Sequence, residues 1–321
     1  MKVKNIFFLL SFPILYSSCL KEEIPIQPQI RTANVSQVNM GSDYGLQIYF
    51  NLDNNTIVKQ NIKTDWDIAF ECNNNGWHVI LNSSIASSAA NTGNTDFASI
   101  DDTSGNQWNW DVPNGNLDST AIGDYGNNNE IYIIDRGYDI DGNAIGFKKI
   151  TFDNISQTEY EIHYADLDGN NENSIIISKD SLVNFIGFSF TTNNVVDIEP
   201  NKENWDLLFT QYTHIFKNPV MPYLVTGVMI NRFNTEISDD NVNTYDDISS
   251  SNLDLYEFNN EIDFIGYDWK TYDFNSGTYV VDQNSNFIIK TNIGFYYKLH
   301  FIDFYDDAGL KGSPKFEFQK L

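Results

Sequence analysis

Soft metal-ligand side chains lie close together in one stretch of the second half of the sequence. His214 is followed by Met221 and Met229, and Tyr212 and Tyr223 lie beside them. Imidazole and thioether groups are soft ligands, and aromatic neighbours supply an apolar wall. The stretch therefore predicts a ligand pocket around His214, completed by Met221 or Met229. The alternative interpretation is a loop histidine, with Met221 in packing.

The elements that would position these side chains are predicted to be β-strands. Short runs of β-branched and aromatic residues are bounded by clusters of Asn, Asp, Gly and Ser, as in hairpin-rich proteins. His214 falls at the end of such a run, before an expected loop over residues 217–223. No long stretch shows a capped 3.6-residue apolar period. The fold class is therefore predicted to be all-β, or β-rich with minor helix. Strands are expected, among other places, at residues 46–50, 131–134, 185–190 and 287–289.

The sequence also repeats itself. Two motifs occur twice in the same order: WDIAF (66–70) and WDLLF (205–209), then GFKKITF (146–152) and FYYKLHF (295–301). The offset between matching positions rises along the chain from 139 to 149, as in two collinear copies with small insertions. We therefore predict two similar tandem β-units, residues 35–178 and 179–321, packed tightly together.

The N-terminus has the composition of a lipoprotein leader. Two lysines precede eleven mostly apolar residues, too few to span a bilayer, and two serines and a cysteine follow. This order resembles a lipobox, so residues 1–18 are predicted to be a signal peptide and Cys19 the lipid-attachment site, with a tether over 19–34. LKEE at 20–23 resembles a surface-export signal. The expected localisation is the outer membrane, lipid-anchored and exposed at the cell surface.

Charge and missing motifs exclude several classes of function. The formal net charge is −25, which repels nucleic-acid phosphates and anionic membranes. We therefore expect no nucleic-acid partner, and membrane contact only through the lipid anchor. The hydrolase, metalloprotease and nucleotide-binding motifs GxSxG, HExxH, GxxxxGK[ST] and GxGxxG do not occur. The chain is therefore not expected to be an enzyme, and no metal site is predicted.

Several segments resemble one known family. NWDLLFTQY at 204–212, DWDIAF at 65–70 and the ending over 297–318 are similar to the HmuY-like haem-binding lipoproteins. The resemblance implies a β-rich surface lipoprotein that captures haem, without catalysis, and passes it to an outer-membrane transporter. It also implies that two axial side chains hold the haem iron; in the best-known member both are histidines.

The sequence departs from that family at the ligand positions. The two ligand histidines have no convincing counterparts, and the region just before Phe287 contains Tyr272 and Tyr279 but no histidine. Haem iron also accepts methionine and tyrosine. The haem-binding candidates are therefore His214, Met221 and Met229, from the stretch described above.

Two other functions remain open from the sequence. The first is a structural or interaction module of the cell envelope that keeps the β-fold without binding haem. The second is a carbohydrate-binding lipoprotein, because exposed indoles could stack on sugars. The tryptophans that suggest it are Trp77, Trp108, Trp110 and Trp269. A pair of soft ligands converging on one apolar cleft would favour haem capture over the envelope module.

Replacing the predicted lipid-attachment residue tests the anchor. Cys19→Ala removes the only thiol that the lipoprotein pathway could acylate at this position, so the variant should lose the lipid completely. Metabolic labelling with a palmitate analogue measures this. Equal labelling of the variant and the wild type would refute the assignment.

Overall fold

Two β-sandwiches stacked back to back form the part of the chain that the computed structural model describes, residues 32–73, 75–124 and 129–321. The proposed signal peptide (1–18), Cys19 and tether residues 19–31 lie outside the described residues. The predicted all-β class is confirmed, and the helices in the described part are short 3₁₀ turns. They span Ser83–Ile85, Phe97–Ser99, Leu117–Ser119, Tyr245–Asp247 and Ser250–Leu255.

The strands follow the alternating apolar runs of the sequence. In chain order they are β1 (Asn34–Gln37), β2 (Leu46–Asn51), β3 (Thr56–Ile62), β4 (Ile68–Glu71), β5 (His78–Leu81), β6 (Ser88–Asn91), β7 (Gly123–Asp124), β8 (Tyr132–Asp135), β9 (Phe147–Ser156), β10 (Glu159–Ala165), β11 (Asn173–Ser178), β12 (Phe185–Ser189), β13 (Asn194–Val196), β14 (Leu207–Lys217), β15 (Val220–Ile230), β16 (Glu236–Asp240), β17 (Lys270–Asp273), β18 (Thr278–Val281), β19 (Asn286–Lys290), β20 (Tyr296–Tyr305) and β21 (Lys311–Lys320).

The first sandwich packs an outer sheet, β1-β21-β20-β19-β16, on an inner sheet, β15-β14-β2-β3. Its core is rich in phenylalanine. The ring of Phe316 lies 5.2 Å from those of Phe50 and Phe209, which come from the inner sheet. Each buried aromatic ring removes a large apolar area from water, so these contacts hold the two sheets together.

The second sandwich has the same plan. Its outer sheet, β11-β10-β9-β8-β6, packs on the inner sheet β13-β12-β4-β5-β7. Tyr160 contacts Phe70 with ring centroids 4.9 Å apart, and Tyr164 contacts Phe188 at 5.6 Å. The Tyr160 hydroxyl donates to the carbonyl of Glu71, so the buried polar group is satisfied.

Each inner sheet combines strands from both halves of the chain. β2 pairs antiparallel with β14, with Phe50 opposite Leu207, and β12 pairs antiparallel with β4, with Phe188 opposite Ile68. Strands β1–β3 therefore belong to the sandwich built mostly from the second half, and β12–β13 to the one built mostly from the first. The two sandwiches do not coincide with residues 35–178 and 179–321.

The two repeated Trp-Asp motifs make matching contacts. Trp66 and Trp205 are both buried, at 7% and 6% exposure. The amide of Asn82 donates to the carbonyls of Lys63 and Trp66, and that of Asn231 to those of Lys202 and Trp205. These contacts are what a duplication would produce, and the duplication itself stays a prediction.

The lysines of the later motif also match. The ammonium of Lys149 donates to the carbonyls of Phe97 and Ile100, and that of Lys298 to the carbonyls of Tyr245 and Ile248. In each case a buried lysine ties a 3₁₀ turn to the outer sheet. A buried ammonium needs such acceptors, because an unpaired charge in the interior is strongly unfavourable.

The aspartates of the two motifs have different partners. The Asp67 carboxylate accepts from the Phe190 amide at 2.7 Å and from the Arg136 guanidinium at 2.8 and 3.2 Å. The Asp206 carboxylate accepts from the Leu52 amide at 2.7 Å but has no ion-pair partner within the described ranges. Burial accordingly raises the pKa of Asp206 to about 6.

Replacing these two aspartates by asparagine should therefore change the free energy of unfolding in opposite directions. Asp67→Asn leaves the partly buried Arg136 without its carboxylate and should reduce the free energy of unfolding by about 3 kcal/mol at pH 8. Asp206→Asn should be stabilising at pH 8, because ionising wild-type Asp206 in the folded state costs on the order of 2–3 kcal/mol.

The sign of the Asp206 effect follows from the raised pKa. The folded protein keeps this proton up to about pH 6, whereas the unfolded chain loses it near pH 4. Wild-type stability relative to Asp206→Asn should therefore fall as the pH rises from about 4 to about 6. Urea unfolding at pH 4.5 and pH 8 measures this, and equal destabilisation by both variants would contradict it.

Candidate functional site

The candidate ligands lie on one long hairpin rather than in a loop. β14 and β15 each run for 11 residues and pair along their whole length, from Leu207 opposite Ile230 to Lys217 opposite Val220. The loop expected over residues 217–223 is therefore wrong. From Val220 onward the chain is already paired with β14, and a tight turn over residues 218–219 joins the two strands.

The far half of the hairpin leaves the body of the inner sheet. β14 pairs with β2 only over Leu207–Phe209, so residues 210–217 pair with β15 alone. The face that carries the candidate ligands is apolar and exposed at its tip: Phe216 is 36% exposed, Met221 45% and Tyr223 57%. We call His214, Phe216, Met221 and Tyr223 the tip face. Exposed apolar patches of this kind often mark binding surfaces.

His214 sits at the inner edge of the tip face. Its ring lies 4.9 Å from that of Phe216 and 5.1 Å from that of Tyr267. Its Nδ1 atom is buried and has no hydrogen-bond partner among the described residues. A buried ring nitrogen without a partner is costly, so this imidazole is available to a ligand.

The structure brings Met221, but not Met229, close to His214. His214 lies opposite Tyr223, so Met221 is its diagonal neighbour on the same face of the hairpin, roughly 7–8 Å away. Met229 lies opposite Leu208, six positions along the strand from His214, which corresponds to roughly 20 Å. Met229 is also buried, at 8% exposure, beside Tyr212 and Val225.

The tyrosines that precede Phe287 lie near the hairpin. Tyr272 and Tyr279 face each other on β17 and β18, with ring centroids 5.1 Å apart. Burial raises the pKa of Tyr279, and the nearby phenol of Tyr223 contributes in the same direction. Phe274 at the end of this small hairpin is 89% exposed. These rings add apolar surface beside the tip face.

The remaining histidines are paired with carboxylates. His78 Nδ1 lies 2.5 Å from Glu71, His163 Nε2 lies 2.7 Å from Glu172, and His300 Nε2 lies 3.2 Å from Glu317. His300 is only partly exposed, because the ring of Tyr245 stacks on its imidazole with centroids 4.2 Å apart. His214 differs from all three because no carboxylate lies within ion-pair distance in the described chain.

The tryptophans that suggested sugar stacking are packed against other side chains or only partly exposed. Trp269 is 2% exposed and stacks on Phe301 with centroids 3.9 Å apart. Trp77 packs on Tyr160, and the ammonium of Lys179 lies 3.7 Å above its ring. Trp108 and Trp110 are only partly exposed. The structure therefore gives the carbohydrate hypothesis no aromatic platform that includes Trp269 or Trp77.

Metal clusters and membrane spans are absent from the described residues. No group of three or more His, Cys, Asp or Glu side chains there is arranged to hold a metal ion. In the same ranges, no helix has the length and apolar character needed to cross a bilayer.

Comparison with models of known protein families identifies the family of this chain. The model of the HmuY protein family matches residues 43–318, which include the tip face and both inner sheets. The chain belongs to the HmuY family. The resemblance noted in the sequence is thereby confirmed. No curated protein matches this family member.

Several solved structures align with most of this chain. Apo PinO from Porphyromonas gingivitis is 10% identical, with a TM-score of 0.36, over 90% of this chain and 97% of the other. A putative HmuY-like haem-binding protein from Bacteroides vulgatus is 12% identical, with a TM-score of 0.24, over 90% and 94%. The apo HmuY analogue of Tannerella forsythia is 9% identical, with a TM-score of 0.26, over 90% and 95%.

The two candidate methionines should respond differently to truncation. Met229→Ala removes a buried side chain and should lower the free energy of unfolding by about 2 kcal/mol. Met221→Ala removes an exposed one and should change it by less than about 0.5 kcal/mol. Urea unfolding followed by tryptophan fluorescence measures both. A Met221→Ala loss as large as that of Met229→Ala would show that Met221 is a packing residue.

Proposed function

We propose that this chain is a lipid-anchored surface protein that captures haem, without catalysis, at the tip face of the β14–β15 hairpin. The observation that carries the proposal is the buried Nδ1 of His214, which has no hydrogen-bond partner in the described ranges and lies beside an exposed apolar surface. Membership of the HmuY family supports the same ligand. The family resemblance also implies delivery to an outer-membrane transporter.

The residues at the tip face suit a haem ligand. Haem iron accepts an imidazole nitrogen or a thioether sulfur as an axial ligand. His214 supplies the first and Met221 the second, whereas Met229 lies too far along the strand to join His214. Phe216 and Tyr223 would cover the apolar ring system, since flat aromatic side chains pack well on a flat ligand.

Charge at the tip also suits the ligand. The protein is strongly acidic overall, so an anionic ligand needs a local cation. Lys217 is the only lysine or arginine in the hairpin over residues 207–230, and it is exposed at the end of β14. It can pair with a carboxylate of haem without obstructing His214.

The test of this function is a haemin titration. The wild-type protein should give a saturable Soret band. In His214→Ala the band should broaden or shift, because losing an axial ligand changes the spin state and coordination of the iron. Met221→Ala should also change it if the thioether completes the pair. Absorbance spectroscopy of the purified protein measures all three.

The controls separate haem capture from its alternatives. His163→Ala removes a histidine that is paired with Glu172 elsewhere on the surface, and its spectrum should match the wild type. A Met229→Ala spectrum that changed more than that of Met221→Ala would reverse the choice of methionine. A saturable band unaffected by His214→Ala would keep haem and discard this site. No saturable band in the wild type would leave the envelope-module function.

A further inference from the structure

A pocket of about 140 Å³ lies between the two inner sheets. The first inner sheet contributes Tyr49, Leu208 and Met229, and the second contributes Ile80 and Phe185. On the hairpin the lining runs from Met229 to Thr210 and Gln211, and it includes none of the four tip-face residues. It is therefore separate from the proposed haem site.

Two buried tryptophans form part of the apolar wall of this pocket. Trp66 donates its indole N–H to Gln47 at 2.9 Å, and Trp205 donates to Glu199 at 3.1 Å. Since both polar groups of the indoles are already used, the rings offer only apolar surface to the pocket. Ile262 extends the same wall.

One cation lines this apolar space. Arg232 follows β15, and among the described residues its guanidinium makes one hydrogen bond, to the carbonyl of Gly115 at 2.9 Å. It also lies 5.1 Å from the centre of the Phe185 ring. No carboxylate lies within 4.0 Å of it in the part of the chain that the structure describes. A guanidinium has five N–H donors, so most of them remain available.

The carboxylates around Arg232 are held by other groups. Glu71, which borders the neighbouring pocket, is hydrogen-bonded to the amide and Nδ1 of His78. Glu199 and Asp111 line the same pocket as Arg232. Glu199 accepts from the backbone amides of Asn184 and Phe185, from the Asn184 side chain and from the Trp205 indole. Asp111 accepts from the amides of Leu81 and Ala121, both at 2.8 Å. Neither carboxylate can turn towards Arg232 without leaving those buried N–H groups unsatisfied.

The matching position in the first half of the chain has no charge. Asn231 and Asn82 occupy corresponding places after their Trp-Asp strands, and the residue after Asn82 is Ser83. The local structure therefore forms without a cation at this point. Arg232 also borders a second pocket of about 360 Å³, which contains Lys202 and gives a polar route to the guanidinium.

We propose that the pocket between the inner sheets binds a small carboxylic acid with an apolar body, whose carboxylate pairs with Arg232 and whose body packs against Trp66 and Trp205. A planar guanidinium matches a carboxylate in a two-pronged hydrogen bond. A dry cavity of about 150 Å³ accommodates a benzene ring, so the body is about the size of one aromatic ring. This site does not depend on haem binding.

The experiment uses benzoate as the probe and benzyl alcohol as its uncharged analogue. Isothermal titration and tryptophan fluorescence should show saturable binding of benzoate to the wild-type protein. Benzyl alcohol should bind at least tenfold more weakly, because it has the ring but not the charge. Arg232→Gln should weaken the binding of benzoate by roughly 10- to 100-fold and leave the binding of benzyl alcohol nearly unchanged.

Two further variants complete the design. Lys290→Gln removes a surface cation paired with Glu236 and should bind benzoate like the wild type. Arg232→Lys keeps the charge but not the planar fork, and should have an intermediate affinity. The wild-type comparison of the two probes needs no variant to fold. Absence of saturable benzoate binding, equal binding of benzyl alcohol, or full binding by Arg232→Gln would each overturn the proposal.

Discussion

Two antiparallel pairings between distant parts of the chain hold this protein together. β2 joins β14, and β12 joins β4, so each inner sheet exists only when both halves of the chain are folded. Each half therefore supplies strands to the core of the other sandwich. Such long-range pairings cost loop-closure entropy before they give stability, which makes folding slow but cooperative. The Trp-Asp motifs stand at both junctions, with Trp66 and Trp205 buried beside them.

The proposed haem-binding surface lies on the part of the hairpin that does not pair with β2. β14 is held by β2 for only three residues, and beyond Phe209 the hairpin pairs with itself. Its far end therefore keeps an exposed apolar face that the sandwiches do not cover. His214 lies where this face meets the body, which explains how its Nδ1 can be buried without gaining a partner in the part of the chain that the structure describes.

Corresponding positions in the two sandwiches differ in the buried charges that they carry. Asp67 is neutralised by Arg136, whereas among the described residues Asp206 has only the Leu52 amide as a donor, and burial raises its pKa. In the same way, Ser83 and Arg232 occupy corresponding places, and only the second puts a cation beside a cavity. The shared fold tolerates these differences because the backbone hydrogen bonds that define each position do not involve the variable side chain.

The sequence by itself determined the all-β class, the positions of many strands, the family and the stretch that contains His214 and Met221. These follow from local patterns, since strands alternate with period two and turn residues bound them. Only the tertiary structure decided that strands are exchanged between the two sandwiches, that Met229 is far from His214, and that Arg232 lines a cavity. Alternation says which side of a strand a residue occupies, but the partner strand, its register and what covers that side are set by long-range pairing and packing.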